Sequence, residues 1–551
     1  MNEVRRNTRS VSTLALLGWA VSCGPGTASF RDSSPTGDSG EAPAAPRLEV
    51  VEGGVRTCAD PSLREAAPFD VLFSRAEPPK KNWFWGGGAL VGDLTGDGRH
   101  DVLLPGFWQT FRYDGADDLF DDATDSLAGL PTAGASGGSM ADYDGDGDLD
   151  VLLTRYLAPD VLLRNDQGVL VDVSTAAGLS TQPYKSMASS WGDYDRDGDL
   201  DLYIGGYGVI DESRENPDHD DFEPGDPSLL YRNEGDGTFS DMSHLLPQEA
   251  HDGFTFVGGF VDVDLDGWLD LYIVNDFGQS YPNVLLRNVE GRFERDPDAG
   301  LDLAITGMGL GLGDLNGDLL PDVVMSAWNG NHLLKSTSVG WVDYTSVSGV
   351  DNDLERAQKV GWGVTLDDLD NDGDLDAPMV YGHLDSTYQS SPLQPDALYL
   401  QGDDGTFHDA GPDWGFHHPT VGRGFVVVDL DGNGWLDVVK RDLAGPSITY
   451  VARCGTAAWL VVRLHDEGMN RFGVGARVEV DTGGRTLTRT VFAGTIGHAS
   501  GGPPEVHFGL GDADTIEAMR VIWPDGEVTP IEGMATRQPL DITRLPASPT
   551  R

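Results

Sequence analysis

Asp142-Tyr143-Asp144-Gly145-Asp146-Gly147-Asp148-Leu149-Asp150 places an acidic residue at every odd position of a nine-residue run. A hard divalent cation such as Ca²⁺ takes six to eight oxygens at about 2.3–2.6 Å. The carboxylates at positions one, three, five and nine, with the position-seven carbonyl, can supply most of that shell. Gly147 suits the positive-φ turn that wraps the run round an ion. Leu149 can anchor it in a core. An EF-hand opens in the same way but needs a bidentate Glu at position twelve and flanking helices. Position twelve here is Leu153, in an apolar stretch, Val151-Leu152-Leu153, that reads as a strand. A dockerin-type loop fails on the same position.

The run is one of seven. Relatives begin at Asp93, Asp142, Asp193, Asp262, Asp314, Asp368 and Asp429, at intervals of 49, 51, 69, 52, 54 and 61 residues. Each follows a strand of small residues, such as Gly86-Gly87-Gly88-Ala89-Leu90-Val91, and precedes an apolar strand. A hairpin comes next, as in Leu230-Tyr231-Arg232-Asn233-Glu234-Gly235-Asp236-Gly237-Thr238-Phe239. Four strands per unit of about fifty residues is a propeller blade. The expected fold is therefore all-β: a seven-bladed β-propeller with calcium loops, followed by a small β-rich C-terminal domain.

The seven candidate ligand sets are not equal. Four loops offer four side-chain carboxylates each: Asp142, Asp144, Asp146 and Asp150; Asp193, Asp195, Asp197 and Asp201; Asp262, Asp264, Asp266 and Asp270; Asp368, Asp370, Asp372 and Asp376. Their position-seven carbonyls belong to Asp148, Asp199, Trp268 and Asp374. The first loop has Asp93, Asp97 and Asp101 with Thr95 at position three and Arg99 at seven. The fifth has Asp314, Asp318 and Asp322 with Asn316 and Leu320, and Leu319 where Gly is usual. The last has Asp429, Asp431 and Asp437 with Asn433 and Trp435. Fewer charged ligands predict weaker binding in these three. Up to seven Ca²⁺ ions are expected.

Composition agrees. The 551 residues carry 90 acidic against 37 basic side chains, a net charge of -53. That disfavours nucleic acid and anionic membrane surfaces as partners, and it burdens a compact state unless cations neutralise it. Hydrophobic content of 39 % argues for a folded chain.

The repeats resemble FG-GAP (VCBS) repeats, the units of the integrin α-chain propeller, over roughly residues 85 to 455. Three later motifs resemble the ASPIC/UnbV domain: Asn470-Arg471-Phe472-Gly473-Val474-Gly475-Ala476-Arg477-Val478, His507-Phe508-Gly509-Leu510-Gly511, and Trp523-Pro524-Asp525-Gly526. The pairing is similar to bacterial relatives of cartilage acidic protein 1. It implies a calcium-binding extracellular propeller with a β-rich tail domain, and leaves the molecular activity undefined.

The ends of the chain carry further expectations. Arg5, Arg6 and Arg9 before the short apolar run Val11 to Val21 read as an export signal over residues 1–22. Ala20-Val21-Ser22-Cys23 resembles a lipobox, so Cys23 is the expected lipidation site. The alternative is plain secretion. Residues 23–50 read as the lipidated Cys and a flexible tether, 51–455 as the propeller, 456–545 as the tail domain and 546–551 as a short tail. Phe69-Asp70-Val71 precedes the first blade where other repeats carry a fourth strand, and no fourth strand follows Ser447 to Arg453. The N-terminal segment is therefore expected to complete the last blade. Cys58 and Cys454 flank that seam and form the expected disulfide, with two unpaired buried thiols as the alternative.

The sequence shows no zinc-helix or phosphate-loop motif. The expected function is a non-enzymatic binding or adhesion module, a monomer held at a membrane only by its lipid. The competing readings are a polysaccharide hydrolase or lyase on a propeller scaffold, and an assembly factor for another exported protein. A protein or glycan ligand is expected on the face opposite the metal loops. There the loops after each second strand carry Phe107, Trp108, Tyr156, Tyr207, Trp328 and Tyr381, with Trp83 and Trp85 adjoining. Inter-blade packing of the same aromatics is the alternative.

Overall fold

A computed structural model describes residues 47–52, 69–76 and 86–545, except 108, 117–118, 209–223, 329, 351–358, 385–392, 444 and 495–496. Seven antiparallel sheets of four blade strands follow one another among these residues. In each, the first strand leads through the acidic loop into the second, and the second and third strands pair as neighbours. The second strands, such as Val102-Leu103-Leu104 and Leu271-Tyr272-Ile273, are buried on both faces, which is why they read as continuous apolar runs. The first strands converge on the axis and are rich in small residues: Gly137 and Gly138, Gly258 and Gly259, Gly307, Gly309 and Gly311.

The ring closes as its repeat pattern implied. Phe69–Ala76 pairs antiparallel with Pro446–Ala452, with Phe69 opposite Ala452 and Phe73 opposite Ile448, and so supplies the fourth strand of blade seven. Blades one and seven share a core of Ala89, Val91, Val102, Val426, Val428 and Val439. Cys454 is disulfide-bonded. Its expected partner Cys58, the lipidation candidate Cys23 and the export signal lie outside the described residues.

The tail domain is a two-sheet sandwich. One sheet contains Ala458–Asp466, Glu505–Gly511 and Gln538–Leu545; the other contains Arg477–Asp481, Thr486–Thr490, Thr515–Ile522 and Val528–Ala535. Their inner faces meet over Leu460, Val462, Val478, Phe508, Val521 and Leu540. The first sheet has a fourth member from far away in the chain. Arg47–Glu52 pairs antiparallel with Gln538–Leu545, Arg47 opposite Leu545. The tether expected over 23–50 therefore ends before residue 47. Six residues of Arg-Leu-Glu-Val-Val-Glu carry too short an alternation to announce a strand whose ladder partner lies at the other end of the chain.

The tail domain does not hang free. Its residues 493–494 and 497–501 reach the innermost strands of the propeller. Ala493–Gly494 adds a short fifth strand beside Ser190 and Trp191. Leu310 N–H donates to Gly497 O at 3.1 Å, and Gly501 exchanges bonds of 2.9 and 3.0 Å with Val91 and Ala89. His498 is fully buried between the Trp362 and Phe256 rings, its Nδ1 2.7 Å from Met308 O. The innermost strands are small because this plug occupies the space: a Cβ at Gly88 would lie 1.6 Å from the Ala499 carbonyl oxygen.

Candidate metal centre

Four backbone hydrogen bonds recur in all seven acidic loops and explain their shape. The position-one carboxylate accepts from the position-six N–H at 2.7–3.0 Å. The position-five side chain accepts from the position-seven N–H at 2.8–3.1 Å. The position-nine carboxylate accepts twice: from the position-two N–H at 2.8–3.3 Å, and from a third-strand N–H at 2.5–3.0 Å. The closing Asp is thus a brace that fastens its loop to the hairpin behind it. Position four as well as position six takes positive φ, even where it is Arg196, Leu265 or Asn371; Leu319 accepts φ 72° at position six. Such a conformation costs about 1–2 kcal/mol for a non-glycine residue.

The loops differ in how far their carboxylates converge. Carboxylate oxygens lie within 4.8 Å of one another for Asp142, Asp144 and Asp146; Asp193, Asp195 and Asp197; Asp262, Asp264 and Asp266; Asp368, Asp370 and Asp376; and Asp429, Asp431 and Asp437. Among the described residues, the loops at Asp93 and Asp314 form no such trio. Their position-three residue is Thr95 or Asn316; Thr95 Oγ1 lies 3.5 Å from Asp93 Oδ1, at the limit of a hydrogen bond. The last loop, expected among the weak ones, belongs by geometry with the converging group. Its Asn433 is at position five, and the buried Asp429 and Asp437 close on Asp431 without it.

The donor chemistry fits a cation. Asp144 Oδ1, Asp195 Oδ1 and Asp368 Oδ1 are buried without a hydrogen-bond partner. Burial first, then neighbouring carboxylates, lifts Asp142 and Asp193 to about 7 and the closing Asp150 and Asp201 to about 9. Asp376 and Asp437 are pushed well above the ordinary range for the same reasons. Converging carboxylates in this state are costly unless a positive charge joins them. The position-one, -three and -five or -nine carboxylates would hold the ion. Asp144→Ala should therefore cost far more metal affinity than Asp97→Ala, by calorimetric titration. Equal losses would show that convergence does not grade the sites.

Sequence reasoning missed the residues that tie one loop to the next. Asn165 Nδ2 donates to Leu94 O of the preceding blade at 2.9 Å and to Leu149 O of its own loop at 3.1 Å. Asn233 and Asn288 repeat the clamp on Tyr143 O and Leu200 O, and on Tyr194 O and Leu269 O. The recurrent Arg-Asn in the third strands of blades two, three and four was the available signal.

The tail domain covers this face. His100 of loop one pairs with Glu505 at 3.3 Å. Arg471 donates to Gly145 O in loop two, and Arg196 of loop three to Asp525 O at 3.1 Å. Gly511 N–H donates to Asn371 O in loop six at 2.8 Å, and His507 Nε2 lies 3.3 Å from Gly434 O in loop seven.

On the opposite face the aromatic register divides. Tyr207 and Tyr381 are buried, and this corrects their expected place at a ligand rim. Tyr207 packs on Phe254 and Phe256 and donates to Asp276 Oδ2 at 2.6 Å. Tyr381 Oη accepts from Asn331 Nδ2 at 2.9 Å. Phe107, Tyr156 and Trp328 are half-buried; Trp83, Trp85 and Trp108 lie outside the described residues. Trp328 packs edge-on against the buried His383.

Family models match an FG-GAP-like repeat over residues 142–204 and 262–325 and an ASPIC and UnbV domain over 466–549. The chain carries both. It is similar to cartilage acidic protein 1 of Homo sapiens, 26 % identical over 268 residues, 47 % of this chain and 39 % of that protein. The Xenopus tropicalis protein is 24 % identical over 472 residues, 80 % of this chain and 61 % of the relative. The chain thus spans about two fifths of the human relative's length. Among solved structures, an Agrocybe aegerita lectin aligns with 16 % identity over 59 % of this chain and 79 % of its own, with a TM-score of 0.39. No helix among the described residues is long and apolar enough to cross a membrane.

Proposed function

We propose that this chain is an exported, calcium-loaded propeller that acts as a non-enzymatic binding or adhesion module through the face opposite its metal loops. The observation that carries this reading is the covering of the metal-loop face: the tail domain bonds to loops one, two, three, six and seven. A macromolecular partner is left the other face, where Phe107, Tyr156 and Trp328 remain partly accessible. Ca²⁺ supplies charge neutralisation and a fixed loop geometry; the chain's own residues supply the recognition. The repeats and the cartilage acidic protein 1 relatives support a propeller of this kind. The ligand is a protein or a glycan, and a glycan array with a parallel pull-down tests both. Binding should be specific, lost in chelator, and weakened by Trp328→Ala with the fold intact. Binding unaffected by that variant and by chelator would sink the proposal.

A further inference from the structure

The third strands of blades two, three and four each end in an arginine followed by the clamping asparagine: Arg164, Arg232 and Arg287. In blades two and three the guanidinium is held by an acid two residues on. Arg164 Nε and Nη2 donate to Asp166 at 2.9 and 3.0 Å, and Arg232 Nη2 donates to Glu234 at 2.6 Å. In blade four that position is Val289, which is exposed. A second change lies nearby. Asp172 and Asp241, the last residues of the fourth strands, each accept the hydroxyl and N–H of a serine two residues on, Ser174 or Ser243. Asp296 has Asp298 there instead, accepts only a 3.3 Å N–H from it, and gives its Oδ2 to Arg287 Nε at 3.1 Å. Anchored so, Arg287 sends Nη1 into the metal loop, 3.0 Å from Asp264 Oδ2 and 3.2 Å from Asp270 Oδ2.

We propose that Arg287 is a resident cation of the blade-four loop, competing with a divalent ion for Asp264 and Asp270 and making this site weaker than those of blades two and three although its carboxylates at positions one, three, five and nine are the same in number. The inference rests on the loops binding Ca²⁺. A guanidinium on two of the carboxylates both neutralises them and occupies their lone pairs, so an ion entering the loop must first displace it. Blade four then answers to calcium at a higher concentration than blades two and three, and the difference is set outside the ligand set, at residues 289 and 298.

The test is calorimetric titration of the calcium-depleted full chain with Ca²⁺ alone, on the wild type, Arg287→Gln and Val289→Asp. The second variant keeps the arginine and offers it the acid found in blades two and three, so it guards against a folding defect in the first. In both, one site should tighten on the order of tenfold, as expected when effective ligand charge rises. Adding Asp262→Asn should abolish the tightened site. Unchanged isotherms in both variants, or loss of a site in Arg287→Gln, would overturn the inference while leaving calcium binding intact. No Ca²⁺ uptake by any of the proteins would overturn the calcium reading itself.

Discussion

Removing calcium should lower the melting temperature of this protein on the order of 15 °C, from about 2.7 kcal/mol per site at a hundredfold excess over Kd, summed over five converging loops. The five trios are the reason for that number of sites. The chelated protein should also acquire a pH dependence. The folded pKa values of Asp150 and Asp201, about 9, and of Asp142 and Asp193, about 7, stand above the unfolded value. The folded state therefore holds protons more tightly, and stability is fully present below about pH 4 as far as these groups are concerned. It is lost as pH rises, through 7 for the first pair and 9 for the second. Chelated protein should melt at a lower temperature at pH 8.5 than at pH 6, and added Ca²⁺ should restore more at the higher pH. A calorimetric scan with the same melting temperature in chelator and in calcium at both pH values would refute the role given to these loops.

Gly88→Val should be the most damaging single change in the propeller. Its side chain would occupy the position of the Ala499 carbonyl, the Cβ alone falling 1.6 Å from that oxygen. Backbone on both sides leaves nothing flexible to move, so the plug must withdraw. The expected loss is at least about 3 kcal/mol, the upper range for overpacking, because the bonds from Gly497 and Gly501 to the inner strands go with it. Chemical denaturation in saturating calcium checks the magnitude. Limited proteolysis checks the cause: cleavage should appear within 497–501, buried in the wild type. A variant with unchanged midpoint and protection would show that the axial insertion contributes nothing.

The blades were legible in the sequence because each one repeats its own local code. Alternating Asp at fixed offsets, a small-residue strand before and an apolar strand after require no knowledge of distant partners. The closing strand Phe69–Ala76 was legible for a related reason: a repeat with a missing member points to where that member must come from. What stayed hidden was long-range and unrepeated. The segment 492–502 reads as a glycine-rich loop, and nothing local says that its carbonyls serve the inner strands of another domain. Arg47–Glu52 is too short to declare itself. Among the site residues, the acidic trios followed from spacing. The grading within them did not, because it depends on whether Asp431 meets Asp437, or whether Val289 leaves Arg287 free to turn inward. Tyr207 shares a sequence register with Tyr156 and Trp328, and Tyr381 flanks it; only packing separates buried from accessible rings.

The pairing of Arg47–Glu52 with Gln538–Leu545 orders events during synthesis. Residues 47–52 leave the ribosome early and can find their ladder only after the last strand of the tail domain has been made. The same holds, one step sooner, for Phe69–Ala76, which waits for Pro446–Ala452. The first-made part of the chain is thus the last to be built in, and it is built in twice, once in each domain. A nascent chain crossing a membrane lengthwise meets no obligation to close until it has arrived whole. A cut that removes residues 47–76 leaves both domains with an open sheet edge, so that shortened product is exposed to proteases at two places at once.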